Sequence, residues 1–355
     1  MPTRTITAGS SCLFRPACNA AAMDAMFERV EDLAELVRRT VTPLADLSNG
    51  YALLDFPDYS NVGDSLIWLG ELAFFDRAAP RPPGYVSTIH GFDLDALKRA
   101  VPAGPIFLSG GGNFGDLWPR FQQFRRMLLA ALPGRRIVQL PQTIHFADPV
   151  EARATRDAIA QHGNFTMLVR DRASLAFAQT QLGCEVALCP DMAFCLGALS
   201  RPALPVHDIV YLLRTDQEQN GERGLPALGP DDLVTDWIHG AHTPSRWDRA
   251  VARLGRTALL LAGGEPDYGR FRTRARAELE RGRALLGAGE AVVTDRLHGH
   301  ILSVLMGIPH AVLDNSYGKV RGFAELWCAD LPGVAICEAL EQATAHALAA
   351  SRQIA

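Results

Sequence analysis

The stretch "YALLDFPDYSNVGDSLIWLGELAFFDRA" (residues 51–78) decides the fold class of this chain. Its first seven residues are apolar enough for a buried strand, and residues 63–78 have the length and apolar content of a helix. A polar loop with one glycine lies between them. The same strand–loop–helix unit recurs along the chain, and this alternation predicts an α/β fold with parallel sheets and helices on both faces.

The alternation continues in two blocks, which a proline-containing linker at 199–208 separates. In the first block we predict strands at 85–90, 106–112, 136–142, 165–171 and 184–191, and helices at 117–132, 149–163 and 172–183. In the second block we predict a surface loop at 215–232, strands at 209–214, 291–295, 310–314 and 333–337, and helices at 245–261, 268–287, 297–306, 319–328 and 338–350. The simplest organisation is an N-terminal extension and helix (1–50) and two Rossmann-like parallel-sheet domains (51–200 and 207–355) facing each other across a cleft.

Composition and charge restrict the class of protein. The chain has 355 residues, of which 48% are hydrophobic and 21% charged, values typical of a globular enzyme with two domains. A formal net charge of −4 argues against a nucleic-acid-binding surface. Seven cysteines without a CxxC pair favour free thiols in a reducing cytoplasm and no metal site. No apolar run is long enough to span a membrane, although contact with its inner face is left open.

Two glycine-containing loops follow predicted strands of the first block, where ligands of parallel sheets bind. Their candidate site residues are Asn61, Gly63 and Asp64 in "NVGD", and Gly111, Gly112, Asn113 and Asp116 in "SGGGNFGD". Consecutive glycines let backbone N–H groups approach a phosphate or a sugar oxygen. The spacing matches neither a dinucleotide GxGxxG fingerprint nor a Walker loop. For the first loop, a helix N-cap at Asp64 or Ser65 is the plain structural alternative.

Later strands of the first block also end in polar residues. Gln142 and His145 follow the strand at 136–142, where an amide can bind a sugar hydroxyl and an imidazole can exchange a proton. Arg170 and Arg172 end the strand at 165–171, and the aspartate between them can neutralise one of the two. We interpret Asp191, at the end of the next strand, as a cap or hinge contact rather than a catalyst.

In the second block, the stretch "VVTDRLHGH" (292–300) begins with a predicted buried strand, which is followed directly by Arg296 and His298 at the start of a helix. The N-terminus of a helix favours an anion, and Lys319 and Arg321 follow the next strand. Either Arg296 closes a salt bridge within the protein or the cluster binds an anionic ligand. Because we count more cations than local acidic partners, we expect a small anionic ligand.

With these residues in place, the chain resembles the polysaccharide pyruvyl transferases. The resemblance rests on "NVGD", "SGGGNFGD", "VRDRAS", and "DRLHGHILSVLMGIP" followed by "DNSYGKV", in this order across residues 51–323. It implies two Rossmann-like domains in a GT-B-like arrangement, the first on the acceptor side and the second on the donor side. It also implies transfer of pyruvate from phosphoenolpyruvate to two sugar hydroxyls as a cyclic ketal. The chain departs from the family pattern before residue 51 and at 215–245, regions that we expect to shape the acceptor site.

Residue chemistry and the resemblance together suggest roles. Arginine binds a carboxylate or phosphate in a two-pronged fork, and histidine suits proton transfer near neutral pH. We expect catalysis by His298, Asp64 and Asp116, donor binding by Arg296, Leu297, Gly299, Arg170, Arg172 and Lys319, and acceptor binding by Asn61, Gly63, Gly111, Gly112, Asn113, Gln142 and His145. The expected co-substrate is phosphoenolpyruvate, without a cofactor, and the expected partner is a sugar acceptor, with a lipid-linked oligosaccharide as one form.

Two other classes of protein remain open at this stage. A GT-B glycosyltransferase that uses a nucleotide sugar would share the architecture and could hold a pyrophosphate on the basic cluster. It would also need a pocket for base and ribose, for which the sequence gives no clear signal. A non-catalytic protein that binds a sugar or an anion is the other alternative, and loss of turnover in a His298 variant would exclude it.

Overall fold

The computed structural model describes residues 17–216, 218–219, 228–238 and 268–352. The strands of the first half are β1 (Ala52–Leu54), β2 (Tyr85–Ser87), β3 (Ile106–Leu108), β4 (Gly111–Gly115), β5 (Ile137–His145), β6 (Phe165–Val169) and β7 (Glu185–Leu188). Within the described residues they form one seven-stranded parallel sheet of order β2-β1-β3-β5-β6-β7, and β4 pairs with the end of β5. We call it the first sheet.

The strands of the second half are β8 (His207–Leu212), β9 (Leu233–Thr235), β10 (Gly289–Thr294), β11 (His310–Val312) and β12 (Val334–Ile336). In the described part of the chain they form a five-stranded parallel sheet of order β12-β11-β10-β8-β9, which we call the second sheet. The helices are α1 (Ala17–Val41), α2 (Val62–Ala78), α3 (Leu94–Ala100), α4 (Pro119–Ala131), α5 (Pro149–His162), α6 (Arg172–Phe177), α7 (Tyr268–Gly287), α8 (Leu297–Leu305), α9 (Lys319–Trp327) and α10 (Leu340–Arg352).

The predicted fold class is confirmed, since two parallel sheets alternate with helices. The domain boundaries at 51–200 and 207–355 stay a prediction, with β7 and β8 on either side of the linker. The strand predicted at 106–112 is wrong in its second half, because the chain leaves β3 and forms β4 as a separate strand. The sequence analysis missed α3 and β9, and the helix predicted at 245–261 lies outside the described residues.

Helix α2 joins the two halves of the molecule. It is apolar on nearly all sides, as expected for a buried helix, and it packs against α7 and against a short 3₁₀ turn, Met192–Leu196. A Cβ on Gly70 would lie only 2.0 Å from the carbonyl oxygen of Met192, so this close packing requires glycine. The N-terminus of α2 is thereby fixed where the two sheets meet.

The buried carboxyl of Glu71, on α2, supports the glycine-rich loop after β3. It accepts hydrogen bonds from the Ser109 hydroxyl at 3.0 Å and from the Gly110 N–H at 2.7 Å. Its second oxygen, Oε2, is buried without a hydrogen-bond partner within the described residues. Burial raises the pKa of Glu71 to about 8, against the opposite effect of the two hydrogen bonds.

No helix in the described part of the chain is long and apolar enough to cross a membrane.

We expect Glu71→Gln to remove part of the pH dependence of stability. Because the pKa of Glu71 is raised in the folded state, the folded protein keeps a proton that the unfolded chain loses, and stability falls as pH rises from about 4.5 to about 8. Glutamine stays neutral throughout. In urea unfolding, the free energy of unfolding of the variant relative to that of wild type should therefore rise by a few kcal/mol, as an order of magnitude, between pH 5 and pH 8. An equal difference at both pH values would contradict this assignment.

Candidate active site between the two sheets

A cavity of about 720 Å³ lies between the two sheets, at the carboxyl ends of their strands. Its size is ordinary for a site that holds small ligands. Loops of the first sheet supply Phe56, Asp58, Tyr59, Ser60, Asn61, Asp64, Thr88, Ile89, His90, Gly112, Asn113, Trp118, Pro119, Arg120, Phe121 and Arg170. The opposite wall consists of Arg214, Asp216, Glu218, Trp237, Ile238, Arg296, Leu297, His298 and Lys319.

Arg296 closes a salt bridge inside the protein. Its Nε and Nη2 bind the two carboxylate oxygens of the fully buried Asp236 at 2.5 and 2.7 Å, and Nη2 also lies 3.1 Å from Asp216. The two-pronged edge of the guanidinium is therefore occupied, and the structure does not support the prediction that this fork holds the donor. Only Nη1 of Arg296 forms no hydrogen bond within the described residues.

Arg214 and Lys319 extend this charge network. Arg214 binds Asp216 through two nitrogens at 2.9 and 3.0 Å and lies 3.1 Å from Glu218, which in turn binds the ammonium of Lys319. Burial, opposed by Glu218, lowers the pKa of Lys319 to about 8. Although burial raises the pKa of Glu218, Lys319 and Arg214 outweigh it, so this pKa is below the usual value.

The predicted surplus of positive charge is wrong for the described residues. The four buried cations of the cavity face four carboxylates: Arg170, Arg214, Arg296 and Lys319 against Asp191, Asp216, Glu218 and Asp236. Arg321, which we had counted in the cluster, instead lies near two other carboxylates. These are Glu325, on α9, and Glu338, just before α10. The sequence count failed because Asp216 and Glu218 belong to the stretch that we interpreted as a surface loop.

A second charge cluster links the first sheet to α8. The carboxylate of Asp191, which is fully buried, lies 2.5 Å from Nη1 of Arg170 and 3.5 Å from Nε2 of His298. The latter distance is that of an ion pair rather than a hydrogen bond. Although burial raises the pKa of Asp191, His298 and Arg170 outweigh it, so the pKa is well below the usual value. Asp191 also caps the 3₁₀ turn, as predicted, but it contacts a candidate catalytic residue as well.

His298 lies against the N-terminus of α2. A Cβ added to Gly63 would be 2.4 Å from Nδ1 of His298 and 3.0 Å from Cβ of His298. Only glycine therefore leaves room for the ring. The N-cap of α2 is Asn61, whose side chain accepts from the Gly63 N–H at 2.8 Å, and not Asp64 or Ser65. Nε2 points to Asp191, and Nδ1 lies against Gly63 at the N-terminus of α2.

Asp64 faces the cavity from the first turn of α2. One of its oxygens, Oδ2, accepts hydrogen bonds from the Tyr59 hydroxyl and the Asn61 amide, both at 2.8 Å. The other oxygen, Oδ1, forms no hydrogen bond within the described residues. This arrangement fixes the carboxylate and leaves one oxygen for a ligand.

The glycine-rich loop brings the backbone close to two cations. A Cβ on Gly112 would lie 3.3 Å from Nη2 of Arg170 and 3.6 Å from Nζ of Lys319. Gly111 has a φ of 135°, which glycine adopts readily, but it does not line the cavity. Gln142 lies beneath the loop, where its amide bonds Asn113 and Ser109, so it supports the loop instead of reaching a ligand.

Most of the remaining predicted site residues lie away from the cavity. Asp116 accepts hydrogen bonds from the backbone N–H groups of Ala147 and Asp148, and this placement argues against a catalytic role. Gly299 allows α8 to pack on Thr294, to which a Cβ would be 2.5 Å away. Arg172 and His145 line a separate depression of about 320 Å³, of which Lys319 also forms a wall. Leu297 lines the main cavity but is almost fully buried in the core.

His300, the second histidine of the motif, belongs to the core. Its Nδ1 lies 2.7 Å from Nε2 of His310, whose own Nδ1 lies 2.7 Å from the carbonyl oxygen of Ile308. The carbonyl can only accept, so the proton positions follow: His310 donates from Nδ1 and accepts at Nε2, and His300 donates from Nδ1. Burial lowers the pKa of His300 well below the usual value, which leaves the ring neutral. His300 therefore does not exchange protons with the cavity.

Sequence reasoning missed several residues of the cavity wall. They are Arg214, Asp216, Glu218 and Trp237, which follow β8 and β9 at the ligand edge of the second sheet. Asp236, which pairs with Arg296, was missed as well. The rule that identified the other candidates, polar residues at the end of a strand, applies to Arg214, the last residue of the predicted strand at 209–214. It could not identify Asp236, because β9 was not predicted. Among the described residues, no group of three histidines, cysteines or carboxylates is arranged to hold a metal ion.

We expect Gly63→Ala to disturb the position of His298. The added methyl group would overlap both the ring and the Cβ of His298, so α2 and α8 would have to separate. Differential scanning calorimetry should show a lower midpoint, equivalent to roughly 1–3 kcal/mol of lost stability. The control is Gly322→Ala on α9, where an added Cβ meets no atom within 4 Å. Equal midpoints for the two variants would contradict the close contact.

Comparisons with known proteins agree with this architecture. A sequence model of the polysaccharide pyruvyl transferase family matches residues 61–317. Pyruvyl transferase 1 of Schizosaccharomyces pombe is 32% identical over 295 residues, which cover 78% of this chain and 69% of that protein. The putative pyruvyl transferase EpsO of Bacillus subtilis is 31% identical over 289 residues, covering 80% of this chain and 87% of that protein.

The fold also resembles a solved structure. A functionally uncharacterised protein from Klebsiella pneumoniae matches 82% of this chain and 94% of its own, with a TM-score of 0.55 and 20% identity. At that identity the match supports the fold alone. The family match covers more than half of the chain and includes strands of both sheets. The chain therefore belongs to the polysaccharide pyruvyl transferase family and is a transferase.

Proposed function

We propose that this transferase moves the pyruvyl group of phosphoenolpyruvate onto two hydroxyls of a sugar and forms a cyclic ketal. The observation that supports this most is the meeting of Arg170 Nη2 and Lys319 Nζ beside Gly112, in the cavity that His298 also lines. Two cationic donors and a group suited to proton transfer thus surround one space. The reaction needs no cofactor beyond phosphoenolpyruvate as co-substrate.

The donor site consists of the N–H groups that the charge networks leave unused. Phosphoenolpyruvate carries a phosphate and a carboxylate on a three-carbon frame. Nη2 of Arg170, which has no hydrogen-bond partner within the described residues, and Nζ of Lys319 supply charge-assisted hydrogen bonds to one of these groups. Nη1 of Arg296 supplies a further donor. Because Asp236 occupies the fork of Arg296, Arg170 takes the leading role that we had assigned to Arg296.

His298 delivers the proton that begins the reaction. Protonation of the methylene carbon creates an oxocarbenium-like centre at C2, which the first sugar hydroxyl attacks. Phosphate then leaves, and the second hydroxyl attacks C2 and closes the ketal. The balance is complete, since the two hydroxyls lose two protons, of which one is found on the methyl group and one leaves with phosphate. Nε2 of His298 faces the buried Asp191 at 3.5 Å, so we assign the proton exchange to Nδ1.

Asp64 is the base on the acceptor side. Its Oδ1 is free to accept a proton from a sugar hydroxyl, while Tyr59 and Asn61 hold Oδ2. It stands on α2 in the first-sheet wall, which is the wall that we assign to the acceptor. A lipid-linked oligosaccharide as acceptor, and a cytoplasmic location at the inner face of the membrane, stay predictions from the sequence.

The test is to incubate the purified protein with phosphoenolpyruvate and a panel of oligosaccharide acceptors. Phosphate release that depends on both substrates, together with the methyl signal of a pyruvate ketal in the NMR spectrum of the product, is the expected result. Release of a nucleotide from a nucleotide sugar, with no consumption of phosphoenolpyruvate, would identify a glycosyltransferase and reject the proposal.

We expect His298→Gln to lower turnover by roughly 100-fold or more, the scale of a lost general acid. Glutamine keeps much of the shape and the hydrogen bonding but cannot transfer a proton, so calorimetry should show that phosphoenolpyruvate still binds. The matched control is His145→Gln in the separate depression, which should keep wild-type turnover. If the His145 variant is impaired and the His298 variant is not, the roles are reversed and the assignment fails.

Phosphoenolpyruvate should bind less tightly at high pH. The ammonium of Lys319, whose pKa lies near 8 between Glu218, Arg214 and Arg170, attracts the anion below that pH and becomes neutral above it. Calorimetry from pH 7 to pH 10 should show affinity falling by up to about tenfold per pH unit above the pKa. Lys319→Arg keeps its charge over this range and should remove the slope. A wild-type affinity that is constant with pH would contradict this role of Lys319.

A further inference from the structure

An aromatic surface forms part of the first-sheet wall of the cavity. It consists of Tyr59, from the loop before α2, and of Trp118 and Phe121, at the start of α4. The side chains of Tyr59 and Trp118 are 40% and 38% exposed, although large aromatic side chains gain most free energy when buried. Phe121 packs edge-on against Tyr59, with ring centroids 6.4 Å apart. We call these three residues the aromatic platform.

The side chain of Trp118 is not needed for the local fold. Trp118 occupies the N-cap position of α4, but its side chain makes no capping hydrogen bond, and Pro119 at the first helical position sets the start of the helix. The indole N–H of Trp118 forms no hydrogen bond within the described residues. An exposed ring with an unused donor, facing a cavity, is suited to a ligand that has both an apolar face and hydroxyl groups.

The platform is coupled to the proposed base. The hydroxyl of Tyr59 donates to Oδ2 of Asp64 at 2.8 Å, so the aromatic ring and the carboxylate are held together. A ring-shaped ligand that lies on Tyr59 would therefore have its edge next to Asp64. The donor residues meet at Gly112, with Arg170 in the same wall as the platform and Lys319 in the opposite wall.

The chemistry of the platform selects one class of occupant. Its three side chains are uncharged, whereas the buried cations of the cavity are each paired with a carboxylate. A pyranose ring has C–H groups on its faces and hydroxyls at its edge, and the C–H groups can pack on an aromatic face. We infer that Tyr59, Trp118 and Phe121 form a subsite that binds an uncharged pyranose ring of the acceptor by stacking and presents its hydroxyls to Asp64. This inference rests on the proposed function for the identity of the reaction.

The subsite separates two kinetic roles within one surface. Trp118 contributes only to acceptor binding, so Trp118→Ala should raise the acceptor KM by about tenfold, which corresponds to about 1.4 kcal/mol. The KM for phosphoenolpyruvate and kcat should change little. Trp118→Phe keeps an aromatic face and should recover most of the affinity. Tyr59→Phe keeps the ring but releases Asp64, so kcat should fall more than the acceptor KM rises.

The control variant is Met127→Ala. Met127 lies on the same helix, is 40% exposed, and is not part of the cavity wall. The variant's KM values for phosphoenolpyruvate and for the acceptor should equal those of wild type. If Trp118→Ala and Met127→Ala have the same acceptor KM as wild type, the subsite is rejected while the proposed function stands.

A binding experiment distinguishes failure of the subsite from failure of the proposed function. Intrinsic fluorescence is titrated with neutral methyl pyranosides and a neutral oligosaccharide, and the change that Trp118→Phe removes is assigned to Trp118. The fluorescence should change in a saturable way with the sugars whether or not phosphate is released from phosphoenolpyruvate. Sugar binding without phosphate release would reject only the proposed reaction. A change with vesicles of anionic phospholipid and none with the sugars would overturn the subsite, because the platform would then contact a lipid surface.

Discussion

The architecture of the cavity depends on one buried carboxylate, that of Asp191. A charged group in the interior is tolerated only if it is well paired, and removal of a partner is strongly destabilising. Asp191 finds its partners on both sides of the cavity, in Arg170 at the end of β6 and in His298 on α8. The indole of Trp327, on α9, also donates to the carbonyl oxygen of Arg170 at 2.9 Å. The same contacts therefore hold the two sheets together and place the groups that we assign to catalysis.

The neutrality of the charge networks is compatible with the two different ligands that we propose for the cavity. Arg214, Arg296 and Lys319 are held by carboxylates, so they are fixed before any ligand arrives, and fixed charges are the most effective in stabilising a charged transition state. The networks leave individual N–H groups for an anion without creating a strongly positive surface. An uncharged sugar can therefore lie in the same cavity, on the side of the aromatic platform, and not be displaced by anions from solution.

The sequence predicted the elements better than the contacts. Local periodicity and length identify strands such as β6 and helices such as α2, and the rule that ligands bind at strand ends correctly brought Asn61, Arg170, His298 and Lys319 to the cavity. The rule does not say where a side chain points. Asp116 and Gly299 also follow strands but stabilise a loop and a helix contact. The partner of Arg296 is 60 residues distant, and no local pattern identifies such a pair.

The most direct test of this account is the position of the proton on His298. Long-range hydrogen–nitrogen NMR spectra of protein labelled with nitrogen-15 in histidine, assigned by loss of a signal in His298→Gln, report the tautomer of the neutral ring. If Asp191 orients the ring, the proton is on Nε2 and Nδ1 is bare, and Asp191→Asn weakens this preference. A proton found on Nδ1 of the neutral ring, unchanged in Asp191→Asn, would contradict the account, because His298 would then be positioned independently of the buried carboxylate.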